Sequence, residues 1–117
     1  MSLFSRSGFE TFVHGLAGTS LVDQWESSVA KVGEKVFALL TDGDNRLAFK
    51  VSEESFEILT ALEGISQAPY FAKRKWVTVE PGSELSDAEL RDYLTRSYRT
   101  VSASLTRKLR SELGIAD

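Results

Sequence analysis

The segment of residues 29–51 constrains the fold more than any other part of the chain. Two turn signals divide it, Gly33-Glu34 and the Asp-Gly-Asp-Asn run at 42–45. Glycine, aspartate and asparagine favour tight turns, and the runs between these turns have strand length. In the last run every second position is apolar, namely Leu47, Phe49 and Val51. The pattern predicts a meander of three antiparallel strands.

Helix signals flank this meander on both sides. A capping box from Ser7 to Glu10 predicts a short first helix, and Ser52 before two glutamates predicts a second helix. Another capping box, from Ser86 to Glu89, precedes apolar positions at three- and four-residue spacing. We therefore expect a long C-terminal helix or a broken pair of helices.

A smaller hairpin is predicted between the second and third helical segments. Pro69 restricts residues 66–71 to an edge element, because proline cannot donate a ladder hydrogen bond, and residues 75–80 alternate as a strand does. The predicted fold class is α+β, with an antiparallel sheet of about five strands in two hairpin-type units and helices on one face. The other face of the sheet is then available for binding.

Length and composition predict one globular domain. The 117 residues are 42% hydrophobic and 26% charged, which is typical of a packed protein rather than a disordered chain. No linker or repeat divides them, so we predict a single domain over residues 1–117 with a core at about 7–113. No apolar run approaches the roughly 18 residues that span a bilayer, and no secretory signal is recognisable. We predict a cytoplasmic location without membrane association.

The composition disfavours catalysis and metal binding. The chain has one histidine, His14, and no cysteine. His14 has no second histidine or carboxylate at ligand spacing, so neither a metal site nor a general base is predicted. The turn at 42–45 is not a calcium loop, because Arg46 and Leu47 stand where an oxygen ligand and a glycine are needed. We predict a non-enzymatic protein with no cofactor.

The charges are unevenly distributed along the sequence. Residues 1–66 carry five basic and ten acidic groups, a net of −5, whereas residues 67–117 carry nine basic and seven acidic groups, a net of +2. The overall net charge of −3 argues against wholesale nucleic-acid binding, for which a strongly basic domain is typical. Only a local basic surface is compatible with this balance.

Several motifs together resemble the MmcQ/YjbR-like family. Trp25, followed by Lys-Val-Gly-Glu-Lys-Val-Phe-Ala at 31–38, resembles that family's tryptophan and K-V-G-G-K-x-F-A signature. Residues 68–70 and 73–79 are similar to its proline-aromatic segment and its K-x-x-W-x-x-V strand, and Ser-Tyr-Arg at 97–99 is similar to its S-Y motif. In combination these short motifs are more specific than any one of them.

The resemblance implies a CyaY-like α+β fold in a double-wing arrangement and a DNA-binding role. The sequence departs from the family pattern at two places. Phe71, Ala72 and Arg74 stand where many relatives carry histidine and asparagine, and Glu34 replaces the second glycine of the signature. A carboxylate at this hairpin tip repels phosphate.

Three groups of cations are candidate contacts for nucleic acid. A basic run precedes the last predicted strand, two arginines share a stripe of the C-terminal helix, and two lysines flank the first hairpin tip, as a second wing. Cationic groups bind phosphate by displacing its counterions. Alternatively, the lysines protect strand edges and the arginines complement the helix C-terminus. The candidates are Lys73, Arg74, Lys75, Arg96, Arg99, Lys31 and Lys35.

Four aromatic side chains are candidates for stacking on bases or for lining a pocket. Tyr70 and Phe71 lie just upstream of the basic run, where exposed rings stack on bases. Trp25 and Trp76 are candidates for the walls of a small-ligand pocket. Core packing is the alternative for both indoles, with Trp25 under the first helix and Trp76 anchoring the sheet.

Beside the small-ligand pocket lined by Trp25 and Trp76, these residues support two main functional hypotheses. The first is a weak, salt-sensitive and mostly nonspecific contact with the DNA backbone, without base reading, because no helix presents a set of base-reading side chains. The second is a protein-interaction module that receives another chain on the exposed sheet face or at the Tyr70-Phe71 edge.

Overall fold

The computed structural model of the chain describes residues 2–115. The predicted domain of residues 1–117 also includes Met1 and residues 116–117, which lie outside the described residues. In chain order the elements are α1 (Arg6–His14), β1 (Thr19–Gln24), β2 (Ser27–Val32), β3 (Lys35–Thr41), β4 (Leu47–Lys50), α2 (Glu53–Thr60), β5 (Ile65–Gln67), β6 (Trp76–Val79), α3 (Asp87–Ala103) and α4 (Arg107–Glu112).

The strands form one antiparallel sheet in the order β1-β2-β3-β4-β6-β5. The α+β class is confirmed, but the sheet has six strands rather than about five. The strand missing from the prediction is β1, an edge strand with polar positions and little apolar alternation. Its turn to β2 is formed by Trp25 and Glu26 with φ of 55° and 52°, without the glycine or asparagine that normally marks such a turn.

The helix starts follow the predicted caps with one exception. The Ser52 hydroxyl accepts a hydrogen bond from the amide of Ser55, and Ser86 and Glu89 form both hydrogen bonds of a capping box, which lower the pKa of the Glu89 carboxyl. The prediction that Ser7 caps the first helix is wrong, because Ser5 is the cap and its hydroxyl accepts from the Gly8 amide. At the other end of the chain, α3 and α4 are the broken pair of helices.

The main core lies between the sheet and the helices α1 and α3. Phe9 of α1, Phe37 and Phe49 of the sheet and Leu94 of α3 are all fully buried there. Both faces of the central strands are buried, which is why β3 reads as a continuous apolar run rather than an alternating one. The core also extends towards the N-terminus as far as Leu3.

Tyr98 ties α3 to the connection between α1 and β1. Its ring packs edge-on against Phe37 with 5.6 Å between centroids, and its hydroxyl donates to the carbonyl oxygen of Ala17 at 2.5 Å. Burial raises the pKa of the Tyr98 phenol. The side chain therefore stays neutral and acts as a hydrogen-bond donor at ordinary pH.

Replacing Tyr98 by phenylalanine should lower the free energy of unfolding by about 1 kcal/mol, the usual net value of one such hydrogen bond. Tyr93→Phe is the matched control, because the Tyr93 hydroxyl makes no hydrogen bond within residues 2–115 and its ring stacks on Phe49. Urea denaturation of the two variants measures the difference. Equal stabilities would show that the contact with Ala17 contributes nothing.

The second face of the sheet, which the sequence predicted to be open, is covered in part. Val29, Leu39 and Ala48 on this face are buried, although no helix within residues 2–115 covers them. The connection between β5 and β6 folds back across them instead. Phe71 of that connection stacks on Trp76 with ring centroids 4.2 Å apart and an interplanar angle of 18°. Aromatic stacking thus replaces a helix as the cover of this face.

Candidate functional site

One end of the sheet collects most of the predicted phosphate contacts. In the antiparallel register, the β2-β3 turn, the last residue of β4 and the first residue of β6 all lie at this end. The C-terminal half of α3 is held there by two hydrogen bonds, from Ser97 Oγ to the Lys50 carbonyl oxygen at 2.5 Å and from Lys35 Nζ to Ser104 Oγ at 3.1 Å. We call this the basic end, after its cations Lys31, Lys35, Lys50, Lys73, Arg74, Lys75 and Arg99.

The opposite end of the sheet is acidic. The β1-β2 turn, the β3-β4 turn and the end of β6 meet there, with the carboxylates Asp23, Glu26, Asp42, Asp44 and Glu80. Its two arginines are already paired. Arg6 contacts Asp23 and Asp42, and Arg46 contacts Asp44 and Glu80. The cations that remain free to bind an anion are therefore concentrated at the basic end.

Six of the seven cations of the basic end make no ion pair with any residue between 2 and 115, namely Lys31, Lys35, Lys50, Lys73, Lys75 and Arg99. An unpaired cation keeps its full charge for an external phosphate, whereas a paired one must first give up its partner. Three carboxylates at the same end, Glu34, Glu53 and Glu54, weaken the positive potential. The basic end can therefore attract phosphate only moderately.

A groove of about 380 Å³ lies between α3 and the connection from β4 to α2. Lys50, Arg96 and Arg99 line it. The Arg96 guanidinium pairs with Asp92 at 2.8 Å and lies 4.9 Å from the centroid of the Tyr93 ring, so it is oriented by its own helix. Sequence reasoning found both arginines but missed Lys50, whose position at the end of an apolar strand was its only signal.

The basic run at residues 73–75 divides into one bound and two free side chains. Arg74 pairs with Glu57 at 2.5 Å and lies over the Phe56 ring, which holds it against α2. Lys73 and Lys75 are exposed. The Lys75 carbonyl oxygen accepts from the amide of Val51, which lines the groove, so this lysine lies next to Lys50 and the arginines of α3.

The lysines of the β2-β3 hairpin are less available than predicted. Lys31 is half-buried, and the ammonium group of Lys35 donates to Ser104. Glu34 stands exposed at the tip between them, in the left-handed conformation with φ of 68°. This hairpin therefore lies beside the other cations but contributes less free positive charge.

The aromatic candidates lie elsewhere, on the helix-free face of the sheet. Trp25, Tyr70 and Phe71 line one cavity of about 490 Å³, which we call the aromatic cavity. Its other lining residues are Ser27, Leu39, Thr41, Asp44, Arg46, Ala48, Ala68, Pro69 and Thr78. Trp76 is buried beneath Phe71 and does not line it. The prediction that Trp25 packs under the first helix is wrong, because this indole lies at the β1-β2 turn and is 62% exposed.

The structure gives no support for a metal centre or a membrane span. Within residues 2–115, no three side chains among histidine, aspartate and glutamate are placed to hold a metal ion. His14 is exposed at the last position of α1. No helix in the same range is both long enough and apolar enough to cross a membrane.

Comparison with known proteins places this architecture in a family. The fold is similar to that of the Deinococcus radiodurans protein DR2400, which carries the domain DUF419, with a TM-score of 0.85, 26% identity and coverage of 95% of this chain and 88% of that one. A Pseudomonas syringae protein has the same fold with a TM-score of 0.70, 21% identity and coverage of 82% and 97%. No curated protein matches the chain. The model of the YjbR family matches residues 14–100, and the chain therefore belongs to the YjbR family.

Proposed function

We propose that this protein is a non-enzymatic module that binds the sugar-phosphate backbone of DNA through its basic end. The observation that carries the proposal is the convergence of six cations without ion pairs, from the β2-β3 hairpin, β4, the β5-β6 connection and α3, at one end of the sheet. Segments that are distant in sequence supply them, so the surface is a product of the fold. The acidic opposite end would orient the molecule on a polyanion with the basic end inward.

The contact should be weak and should not read sequence. The groove offers lysine and arginine with the hydroxyls of Ser52 and Ser55, which suit phosphate oxygens. Neither α3 nor α2 projects a row of amide and guanidinium side chains that would reach base edges in the major groove. Nearby carboxylates lower the affinity further. Binding then depends on counterion release and is similar for all sequences.

Salt dependence tests this proposal. With about three or four phosphates neutralised, the logarithm of the binding constant for a duplex should fall with the logarithm of salt concentration at a slope of about −3 to −4. Between about 50 and 200 mM salt the affinity should drop by roughly 50- to 250-fold. Titrations of fluorescent duplex DNA with the protein at several salt concentrations measure this change in affinity. Absence of binding at the lower salt, or a slope near zero, would refute the proposal.

A protein partner is the second candidate function, and the edge strand β1 is the observation that favours it. β1 terminates the sheet, and its residues Ser20, Val22 and Asp23 are exposed. An extended segment of another chain can add to such an edge through main-chain hydrogen bonds. The exposed turn residue Glu26, which makes no ion pair within residues 2–115, favours a basic partner segment. An Asp23→Pro variant would block strand addition and leave the basic end unchanged, because Asp23 and Ser28 form a non-hydrogen-bonded pair and the Asp23 amide faces the open edge.

A further inference from the structure

The aromatic cavity has the size and lining of a small-molecule site. Its volume of about 490 Å³ lies within the usual range of ligand pockets, roughly 300–1,000 Å³. The space exists because two small residues, Ala48 of β4 and Ala68 after β5, lie beneath it. Trp25, Tyr70 and Phe71 form aromatic walls around this floor.

The two rim aromatics are held in an unfavourable backbone conformation. Trp25 has φ of 55° and Tyr70 has φ of 70°, a region that bulky L-residues rarely adopt. Asparagine or glycine would suit either position better. Both rings are also left in solvent, Trp25 at 62% and Tyr70 at 104% exposure. Glu34 and Arg74 adopt the same conformation away from the cavity, so the feature that favours a binding role is the exposure of two aromatic rings beside one apolar cavity.

The polar groups of the cavity define the charge of its ligand. The Arg46 guanidinium is flanked by Asp44 at 3.4 Å and Glu80 at 2.9 Å, so acids outnumber cations and an anion is disfavoured. The Thr78 hydroxyl makes no hydrogen bond within residues 2–115. Ser27 donates its hydroxyl proton to the Trp25 carbonyl and keeps its oxygen as an acceptor. The site can therefore pair with donors and acceptors on the edge of an uncharged ring.

We propose that the aromatic cavity binds an uncharged, planar heteroaromatic ring of nucleobase size, with the Trp25 indole and the Tyr70 ring as its walls. The ring lies over Ala48, and its polar edge faces Ser27 and Thr78. This site is separate from the basic end and does not depend on phosphate binding there. A free nucleoside or an unpaired base of a single strand would supply the same chemistry.

Titration with adenosine, followed by the amide and indole NMR signals of the protein, tests the proposal. We expect saturable shifts at Trp25 and at residues 68–71, with a dissociation constant on the order of 0.1 mM, as the efficiency of drug-sized ligands implies. Ala48→Leu fills the floor and Trp25→Asn removes a wall, so each should weaken binding by about tenfold or more. Ile58→Ala, which removes an exposed apolar side chain on α2, is the control and should bind as the wild type does.

Thermal stability separates a ligand role of Trp25 from a structural one. Because asparagine fits the left-handed turn, Trp25→Asn should raise the melting temperature while it weakens adenosine binding. A fall in melting temperature would mean that the indole serves packing. A hexamer of deoxyadenylate distinguishes the two sources when its affinity is counted per base and read from the signals of the cavity residues. Tighter binding per base than adenosine assigns the ring to a single strand, and equal binding per base assigns it to a free nucleoside. No saturable shift with either probe at about 10 mM, or unchanged binding by Ala48→Leu, would overturn the proposal.

Discussion

The variant that combines Lys73→Gln, Lys75→Gln and Arg99→Gln is expected to lose nearly all salt-sensitive DNA binding. Each of these cations is free of intramolecular ion pairs within residues 2–115, and each should account for about one unit of the salt slope. Removing all three should bring a slope of about −3 to −4 close to zero and weaken binding at about 50 mM salt by more than tenfold. The change lies outside the core, so the melting temperature should stay within a few degrees of the wild type.

A matched control changes the net charge by the same amount at cations that are already paired. The Arg6→Gln, Arg46→Gln, Arg91→Gln variant also removes three positive charges, from side chains that contact Asp23, Glu80 and Asp87, among others. Exposed pairs of this kind contribute little to stability, about 0 to 1 kcal/mol each, so the variant should fold. This control variant should bind DNA with most of the salt dependence of the wild type. If both triple variants lost binding equally, net charge rather than the basic end would be responsible.

The Trp76→Ala variant is expected to cost about 3–5 kcal/mol of unfolding free energy, the largest stability loss that we predict. The indole is 7% exposed and carries the Phe71 ring on its face. Its loss leaves a void on the helix-free face and removes the contact that holds residues 68–71 in place. A loss of this size is a large fraction of the roughly 5–15 kcal/mol that stabilises a domain. Urea denaturation measures it.

Trp76→Phe is the control for this change, because a smaller ring can still stack on Phe71. It should lose less than half as much free energy as the alanine variant. Amide exchange adds a local readout, since residues 68–71 should open faster than the helix-side core in Trp76→Ala. A loss below about 1 kcal/mol with unchanged exchange would contradict the account in which this stack covers the sheet.

The sequence predicts the parts of the fold that follow from local chemistry. The turns at Gly33-Glu34 and 42–45, the caps at Ser52 and Ser86 and the family motifs all depend on near neighbours, and the structure has them where expected. Strand β1 escapes prediction because an edge strand buries little and needs no apolar alternation. Its turn is equally unrecognisable, since Trp25 and Glu26 adopt a conformation that their residue types disfavour.

The candidate site could be predicted residue by residue but not as a surface. Arg99, Lys75 and the exposed Tyr70 are visible in the sequence as cations and aromatics. Whether each one is free depends on tertiary partners, and Glu57 takes up Arg74 from seventeen positions away. The fold also places the aromatic cavity and the basic end apart from each other, which the sequence does not show. Only the folded groove shows that Lys50 lies with the arginines of α3.

Mapping the DNA contact on the protein by NMR tests the central claim most directly. With a short duplex at about 50 mM salt, we predict that the amides of Lys35, Lys50, Lys75 and Arg99 shift in a saturable way, and that the shifts disappear at about 200 mM salt. The amide signals of Asp23, Asp42 and Glu80, at the acidic end, should not shift. Shifts confined to the acidic end or to β1, or no shifts at all, would contradict the assignment of the basic end as the phosphate-binding surface.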